Sequence, residues 1–380
     1  MKALVTFHPT PFCNLDCSYC WAPARSSTVR MDKSVVEETL KQILRNRSLD
    51  GVDFLWLTGE PLVMGLKHFE EVVGICEQMS PFQQPPQFII QTNGTLINQE
   101  WCDFFAKHRF VVGVSIDGPP EIHDAQRRTK GGKGTFSDAL NGIKLLIQNK
   151  IKGGAIAVIT RNTLTVSPDD LFHFFHSRGI AWSYLIEARI GENSASTTSV
   201  GIEDARDIER YLDRLLELWA EHPESYIRDF EQTARRIYGG SRPEHGDDNL
   251  GCLDILNVAA DRTFYWGNPE LMSATTGKLS SIRFSLDSTD VWKCRSTGEF
   301  RNYQRQVHAG VIKCRSECEF YGGCQGGNPA HKFYEFGRFD VSQHVSCRLN
   351  DQTVQRLMRQ RLLRGTMPEL VKGEHELAGT

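Results

Sequence analysis

The stretch Cys13-Asn-Leu-Asp-Cys17-Ser-Tyr-Cys20-Trp21 follows a short apolar run, Leu4–Phe7, at the N-terminus. Three thiols on one tight loop, spaced CxxxCxxC, can hold three irons of a [4Fe–4S] cube and leave the fourth open to a small molecule. A structural zinc site wants a closed set of four ligands, and no fourth cysteine stands beside these three, although His8 is near. On spacing alone a zinc knuckle stays open as the alternative.

Outward from that loop, candidate strands lie at Leu4–Phe7, Asp53–Leu57, Phe88–Gln91, Val111–Ile116, Ala155–Thr160 and Trp182–Ile186. Candidate helices fill the gaps. Lys33–Arg45 carries Val35, Val36, Leu40, Ile43 and Leu44 at helical spacing, and Thr135–Gln148, Gln99–Lys107 and Pro168–Arg178 are similar. The alternation predicts an α/β fold of parallel units around a partial barrel or open sheet. Functional loops in such folds gather at the C-terminal ends of the strands. Past residue 190 the pattern changes. Gly191–Gly201 reads as a linker, Ile202–Tyr238 as helical, and the chain from Leu250 as short β pieces, turns and cysteines. Gln352–Leu363 is a basic amphipathic helix. The expected division is 1–190, 191–249, 250–350 and 351–380.

Composition narrows the function. Lys and Arg number 44 against 47 Asp and Glu, a formal charge of −3, which argues against nucleic acid as a partner. No apolar run approaches the ~18 residues of a membrane helix, and no secretory signal is present, so a cytoplasmic protein is expected. The 11 cysteines are an odd count in a chain long enough to build its own core. Ligation explains their crowding better than disulfides do.

A second motif, Leu55-Trp56-Leu57-Thr58-Gly59-Glu60-Pro61, places a Gly-Glu-Pro turn directly after a strand. Its carboxylate and carbonyls suggest a seat for a ligand ammonium. With this motif in place the chain resembles the radical S-adenosylmethionine (SAM) enzymes. In those, CxxxCxxC is followed by an aromatic residue, here Trp21, and a GGEP-type motif follows the second strand. Thr58 stands where the first glycine of that motif is expected. The resemblance implies an open [4Fe–4S] cluster on Cys13, Cys17 and Cys20 that chelates SAM, with Thr58, Gly59, Glu60 and Pro61 beside it.

Further stretches extend the likeness: Gln91-Thr-Asn93-Gly-Thr95, Val114-Ser115-Ile-Asp117-Gly-Pro119, Arg127-Arg128 and Gly134-Thr-Phe136. They resemble the peptide-modifying branch, which includes the sulfatase maturases. The resemblance implies that Ser115 and Arg127 bind the methionine carboxylate of SAM and that Asn93 contacts its ribose.

Near the C-terminus, Cys314, Cys318, Cys324 and Cys347 resemble the SPASM appendage of the same branch. Their implied role is one auxiliary [4Fe–4S] cluster with full protein ligation. A second auxiliary cluster is left open, but Cys252 and Cys294 alone cannot complete it, and they read equally as ordinary buried thiols. The cysteines of a fuller SPASM pattern are missing after Cys252 and after Cys324. Cys76 and Cys102 sit on helical patterns and read as core. The sulfatase maturases place an aspartate base beside the first missing cysteine, where this chain has Gly267-Asn268, and that disfavours their reaction. The run Gly326-Gly-Asn-Pro-Ala-His331-Lys-Phe-Tyr-Glu335, ending at Cys347-Arg-Leu349, is similar instead to maturases that form cyclophanes in ribosomal peptides, the triceptide pathways. The implied reaction joins an aromatic ring carbon to the Cβ of a nearby residue. Its substrate is a precursor peptide with a leader, and its electrons come from an external one-electron donor of flavodoxin or ferredoxin type. A proton must also leave, and Asp261, Glu270, His331 and Glu335 are unranked candidates for the base. Sulfatase-maturase-like oxidation, epimerisation and thioether formation are the alternatives.

Overall fold

The computed structural model describes residues 2–22, 24–188, 198–239, 251–273 and 277–365. Six parallel strands run β1 (Lys2–His8), β2 (Gly51–Trp56), β3 (Phe88–Thr92), β4 (Val111–Ser115), β5 (Lys152–Ile159) and β6 (Trp182–Ile186). Each pairs with its sequence neighbour. The crossovers carry α1 (Lys33–Ile43), α2 (Leu66–Met79), α3 (Gln99–Lys107), α4 (Pro120–Gln126), α5 (Phe136–Gln148) and α6 (Pro168–His176). This is the expected α/β partial barrel. α2 was expected only as a helical pattern around Cys76, and α4, a short helix preceding α5, was not read from the periodicity.

Local chemistry starts these helices where they start. The side chains of Asp32, Asn98 and Ser167 accept hydrogen bonds from the first-turn amides of α1, α3 and α6, and Pro168 opens α6. Strand alternation then sorts the two faces of the sheet. Phe7, Phe54, Trp56 and Phe88 lie under the helices in ring contact at 5.8–6.2 Å. Each such burial contributes roughly 1.5–3 kcal/mol. The register puts Thr6, Leu55, Gln91, Ser115 and Leu185 on the opposite, concave face. Leu185 is 48% exposed there, so that face is open.

Two helices, α7 (Ala205–Glu221) and α8 (Arg228–Gly239), follow. The single helical stretch expected over Ile202–Tyr238 is broken at His222, because Pro223 disfavours helical backbone in the residue before it. Most of the expected linker at Gly191–Gly201 lies outside the described residues, as do 240–250 and the tail from 366.

The chain then returns to the same sheet. β7 (Ile255–Ala259) pairs in parallel with β1, from Leu4 opposite Ile255 to His8 opposite Ala259. β8 (Thr263–Trp266) and β9 (Phe284–Ser285) continue antiparallel, giving nine strands in the order β6-β5-β4-β3-β2-β1-β7-β8-β9. The boundary expected near residue 250 therefore does not interrupt the sheet. The remaining helices are α9 (Gly298–Glu317), α10 (Tyr321–Cys324), α11 (Pro329–Phe336), α12 (Val345–Cys347) and α13 (Thr353–Leu363), the last matching the expected amphipathic helix. Cys76 and Cys102 are fully buried on α2 and α3, as core residues.

Candidate active site

Cys13, Cys17 and Cys20 lie on the loop after β1, half-buried. The loop is tied to the β4–α5 connection: Asp16 N donates to Arg128 O at 2.7 Å and Ser18 N to Gln126 O at 3.0 Å. Burial pushes the Cys13 thiol up to about 11 and Cys17 up to about 12. Thiolates there need a cationic partner. Three thiols on one loop, with Asn93 and Arg127 beside them, suit a cluster with one open iron better than the closed four-ligand set of a structural zinc site.

The Gly-Glu-Pro turn packs against this loop. A Cβ on Gly59, at φ +61°, would lie 2.3 Å from Thr10 O and 2.5 Å from Phe12 O, so only glycine fits. Glu60 N donates to Phe12 O at 2.8 Å. Pro61 opens a 3-10 turn, Pro61–Met64, capped by the Glu60 side chain. The Glu60 carboxylate meets the protein's own donors. It is fully buried and accepts from Leu62 N (3.0 Å), Thr92 Oγ1 (2.7 Å) and Asn93 N (2.7 Å). Burial raises its pKa against the pull of those donors. Glu60 locks the turn after β2 to the turn after β3.

Asn93 also serves the loop. Its Nδ2 donates to Asn14 Oδ1 at 2.8 Å and lies 3.9 Å from Cys13 Sγ, while its Oδ1 accepts from Thr95 N at 3.0 Å. Its side chain is thus engaged by the cysteine loop. Trp21 is half-buried; the buried aromatic of the loop is Tyr19.

Arg127 is held by a carboxylate the sequence reading did not single out as a partner. Its Nε and Nη2 donate to Asp117 at 3.0 and 3.2 Å. Asp117 is fully buried and also accepts from Tyr19 Oη (2.8 Å) and Val158 N (3.0 Å). The Arg127 guanidinium stands 5.3 Å from the Tyr19 ring centre. Among the described residues its Nη1 has no hydrogen-bond partner, which leaves a donor edge for an anionic ligand. Ser115, two residues before Asp117 on the concave face, accepts from Gln91 Nε2 at 2.9 Å. Glycine at 113 makes room for that glutamine, whose Oε1 a Cβ would meet at 2.1 Å.

The second cysteine set comes together from α9, α10 and α12. Cys314, Cys324 and Cys347 are buried and Cys318 half-buried. Donors point at the sulfurs. The buried Lys332 Nζ lies 3.4 Å from Cys314 Sγ, and Gln352 Nε2 lies 3.7 and 3.6 Å from the sulfurs of Cys318 and Cys347. A buried ammonium and an amide donor suit sulfurs carrying negative charge, so this set fits a closed [4Fe–4S] cluster. Cys294 is fully buried elsewhere and donates to Val291 O at 3.2 Å. The side chain of Cys252 lies outside the described residues.

The four candidate bases fare differently. Asp261 is exposed in the β7–β8 turn, where its carboxylate accepts from Thr263 N at 3.0 Å. Glu335 accepts from Val345 N at 2.7 Å and ties α11 to the start of α12. Asn268 caps the turn Pro269–Ser273 through Glu270 N at 2.9 Å. Glu270 and His331 form an ion pair at 3.0 Å. Burial opposes both charges, yet each holds the other ionised, so Glu270 is lowered and His331 raised.

The sequence reading missed Glu187. It follows β6 at the C-terminal edge of the sheet, and alternation places it on the concave face with Leu185. Its amide donates to Ile159 O at 2.9 Å and its carboxylate accepts from Ser199 Oγ at 3.1 Å. Burial pushes it up to about 7, and it feels the charges of His331 and Glu270. A lone glutamate after a strand carries no local signal; only the register exposes it.

Comparison with known proteins gives four findings. Residues 7–173 match the Radical SAM superfamily. An uncharacterized protein of Synechocystis is 30% identical over 366 residues, covering 92% of this chain and 89% of the relative. A serine-type anaerobic sulfatase-maturating enzyme of Bacteroides thetaiotaomicron is 32% identical over 355 residues, covering 84% of this chain and 81% of that one. Among solved structures, native anSMEcpe with bound AdoMet and Cp18Cys peptide aligns with a TM-score of 0.78 at 21% identity, covering 96% of this chain and 99% of that one. That likeness speaks to the fold.

Proposed function

The chain belongs to the radical SAM superfamily, close to the anaerobic sulfatase-maturating enzymes, and from that membership we propose that it oxidatively modifies a peptide substrate at Cβ. Cys13, Cys17 and Cys20 would hold the open cluster, and Cys314, Cys318, Cys324 and Cys347 the auxiliary one. When bound, the first cluster supplies the electron that cleaves SAM to a hydrogen-abstracting radical, and the second supplies an electron acceptor.

The chain's own residues do the rest. Arg127, fixed on Asp117, offers its remaining donor edge to the methionine carboxylate. Gly59 and Glu60 hold the turn against the cysteine loop. The open concave face admits an extended peptide, and Glu187 takes the proton that leaves as the product forms. The observation that carries this reading is the packing of the Gly59–Glu60 turn on the cysteine loop, with Arg127 held on Asp117 beside it; Glu187, whose carboxyl is raised by burial, is the base this reading assigns.

The finer reading is a cyclophane, a bond between an aromatic ring carbon and the Cβ of a nearby residue in a ribosomal precursor peptide. Atoms balance as the loss of two hydrogens from the peptide. The second reading, sulfatase-maturase-like oxidation to an aldehyde, is favoured by the relatives matched. Both use an external one-electron donor of flavodoxin or ferredoxin type.

Coexpression with candidate precursor peptides distinguishes them. A crosslink gives tandem fragments blocked across an aromatic segment and no reaction with a hydrazine probe. An aldehyde gives the hydrazone and unblocked fragments, and that result would replace the cyclophane reading.

A further inference from the structure

Away from both cysteine sets, the C-terminal turn of α6 meets the segment after α7. Nε2 of His176 lies 3.7 Å and Nδ1 of His222 3.4 Å from the same oxygen, Glu224 Oε1. The three ligating atoms all fall within 4.8 Å of one another. A tetrahedral ion with bonds of about 2.0–2.2 Å spaces its ligand atoms by about 3.3–3.6 Å, close to these separations.

The surroundings match a ligating imidazole. His176 Nδ1 is 2.6 Å from Ser225 Oγ. When Nδ1–H donates to that hydroxyl, the ring is oriented and the Nε2 lone pair is left for an ion, the arrangement typical of metal-bound histidine. The two rings stand 4.5 Å apart at 46°. Both rings present a nitrogen to the same carboxylate oxygen, so one cation placed between them would meet all three ligand atoms at once. The side chains of His176, His222 and Glu224 are 25%, 33% and 64% exposed, so a hydrated ion can enter and keep water as its remaining ligand.

We propose that His176, His222 and Glu224 bind one divalent transition ion of the zinc class. The site joins α6 to the stretch that closes the outer edge of the sheet. Trp182 N donates to Tyr226 O at 3.1 Å, and Arg228 Nη2 donates to Ser183 Oγ at 2.6 Å. The ion therefore pins the edge of β6, the strand that leads into Glu187. It adds stability that grows with the logarithm of free ion above its Kd, as any ligand of the folded state does.

The test is zinc titration of the anaerobically purified holoprotein by calorimetry, with iron content and thermal midpoint followed in parallel. One saturable equivalent that leaves iron unchanged and raises the midpoint is expected. His176→Ala with His222→Ala removes that equivalent, Ser225→Ala weakens it about tenfold, and Glu221→Gln leaves it intact. Absence of saturable binding overturns the proposal. So does an equivalent that survives in the double histidine variant, because the zinc would then sit on cysteines.

Discussion

Nδ1 of His8 lies 2.7 Å from Oγ1 of Thr58, joining the last residue of β1 to the turn after β2. The other ring nitrogen meets Asn257 Oδ1 on β7 at 3.2 Å, and Asn257 Nδ2 donates to Gly267 O at 2.8 Å. Burial lowers His8 to about 4, so the ring is neutral at physiological pH. The amide oxygen can only accept, so Nε2 carries the hydrogen and Nδ1 accepts from the threonine hydroxyl. This relay links the turn beside the cysteine loop to the C-terminal strands.

Thr58 sits at φ +79°, a conformation that β-branched residues avoid. Strain of this kind costs about 1–3 kcal/mol, and the His8 bond returns about 1 kcal/mol. Thr58→Gly removes both and is expected to be nearly neutral in denaturant melts. Thr58→Ala keeps most of the strain without the bond and should be the less stable of the two. The reverse order would show that the turn is not strained.

Iron counting separates the two cysteine sets. The wild-type holoprotein should carry about 8 irons, for two four-iron clusters. Replacing Cys13, Cys17 and Cys20 by Ala should halve that figure and abolish SAM cleavage. Cys347→Ala should also lower iron, yet leave SAM cleavage measurable.

Asp117 and Arg127 form a buried pair, 0% and 7% exposed. Removing one partner strands the other charge. Arg127→Ala is expected to destabilise the fold by about 3–5 kcal/mol and to weaken SAM binding. Arg127→Lys should recover part of the stability while binding SAM less tightly, because a lysine cannot hold Asp117 and a carboxylate in one planar fork. Equilibrium denaturation and SAM titration check both statements.

Glu187 makes a prediction with a definite sign. A base acts as its carboxylate, so peptide modification should rise with pH through about 7. Glu187→Gln should lose that limb while SAM cleavage continues, uncoupled from product. Stability runs the other way. A carboxyl raised in the folded state contributes fully below its unfolded pKa of about 4.3, and that contribution is lost as pH rises through about 7. Glu187→Gln should therefore gain most in melting temperature over wild type on the alkaline side.

Much of the architecture was legible without coordinates. The six-strand alternation and helices such as Gln99–Lys107 follow from apolar periodicity and caps, which are local signals. The missed features are non-local. Glu60 reads as a ligand for an ammonium until Thr92 and Asn93 reach its carboxylate. Arg127 reads as a free carboxylate binder until Asp117 takes two of its donors.

The cysteine loop, the Gly-Glu-Pro turn and the parallel β/α order follow from local spacing, because spacing along the chain sets which side chains a tight turn can gather. The placing of β7 against β1, the turning of Glu187 to the open side of the sheet and the convergence of His176, His222 and Glu224 emerge in the folded chain alone. Those outcomes depend on register and on contacts between residues far apart in the chain. A one-residue slip in a strand reverses its faces, and no local spacing encodes such a choice.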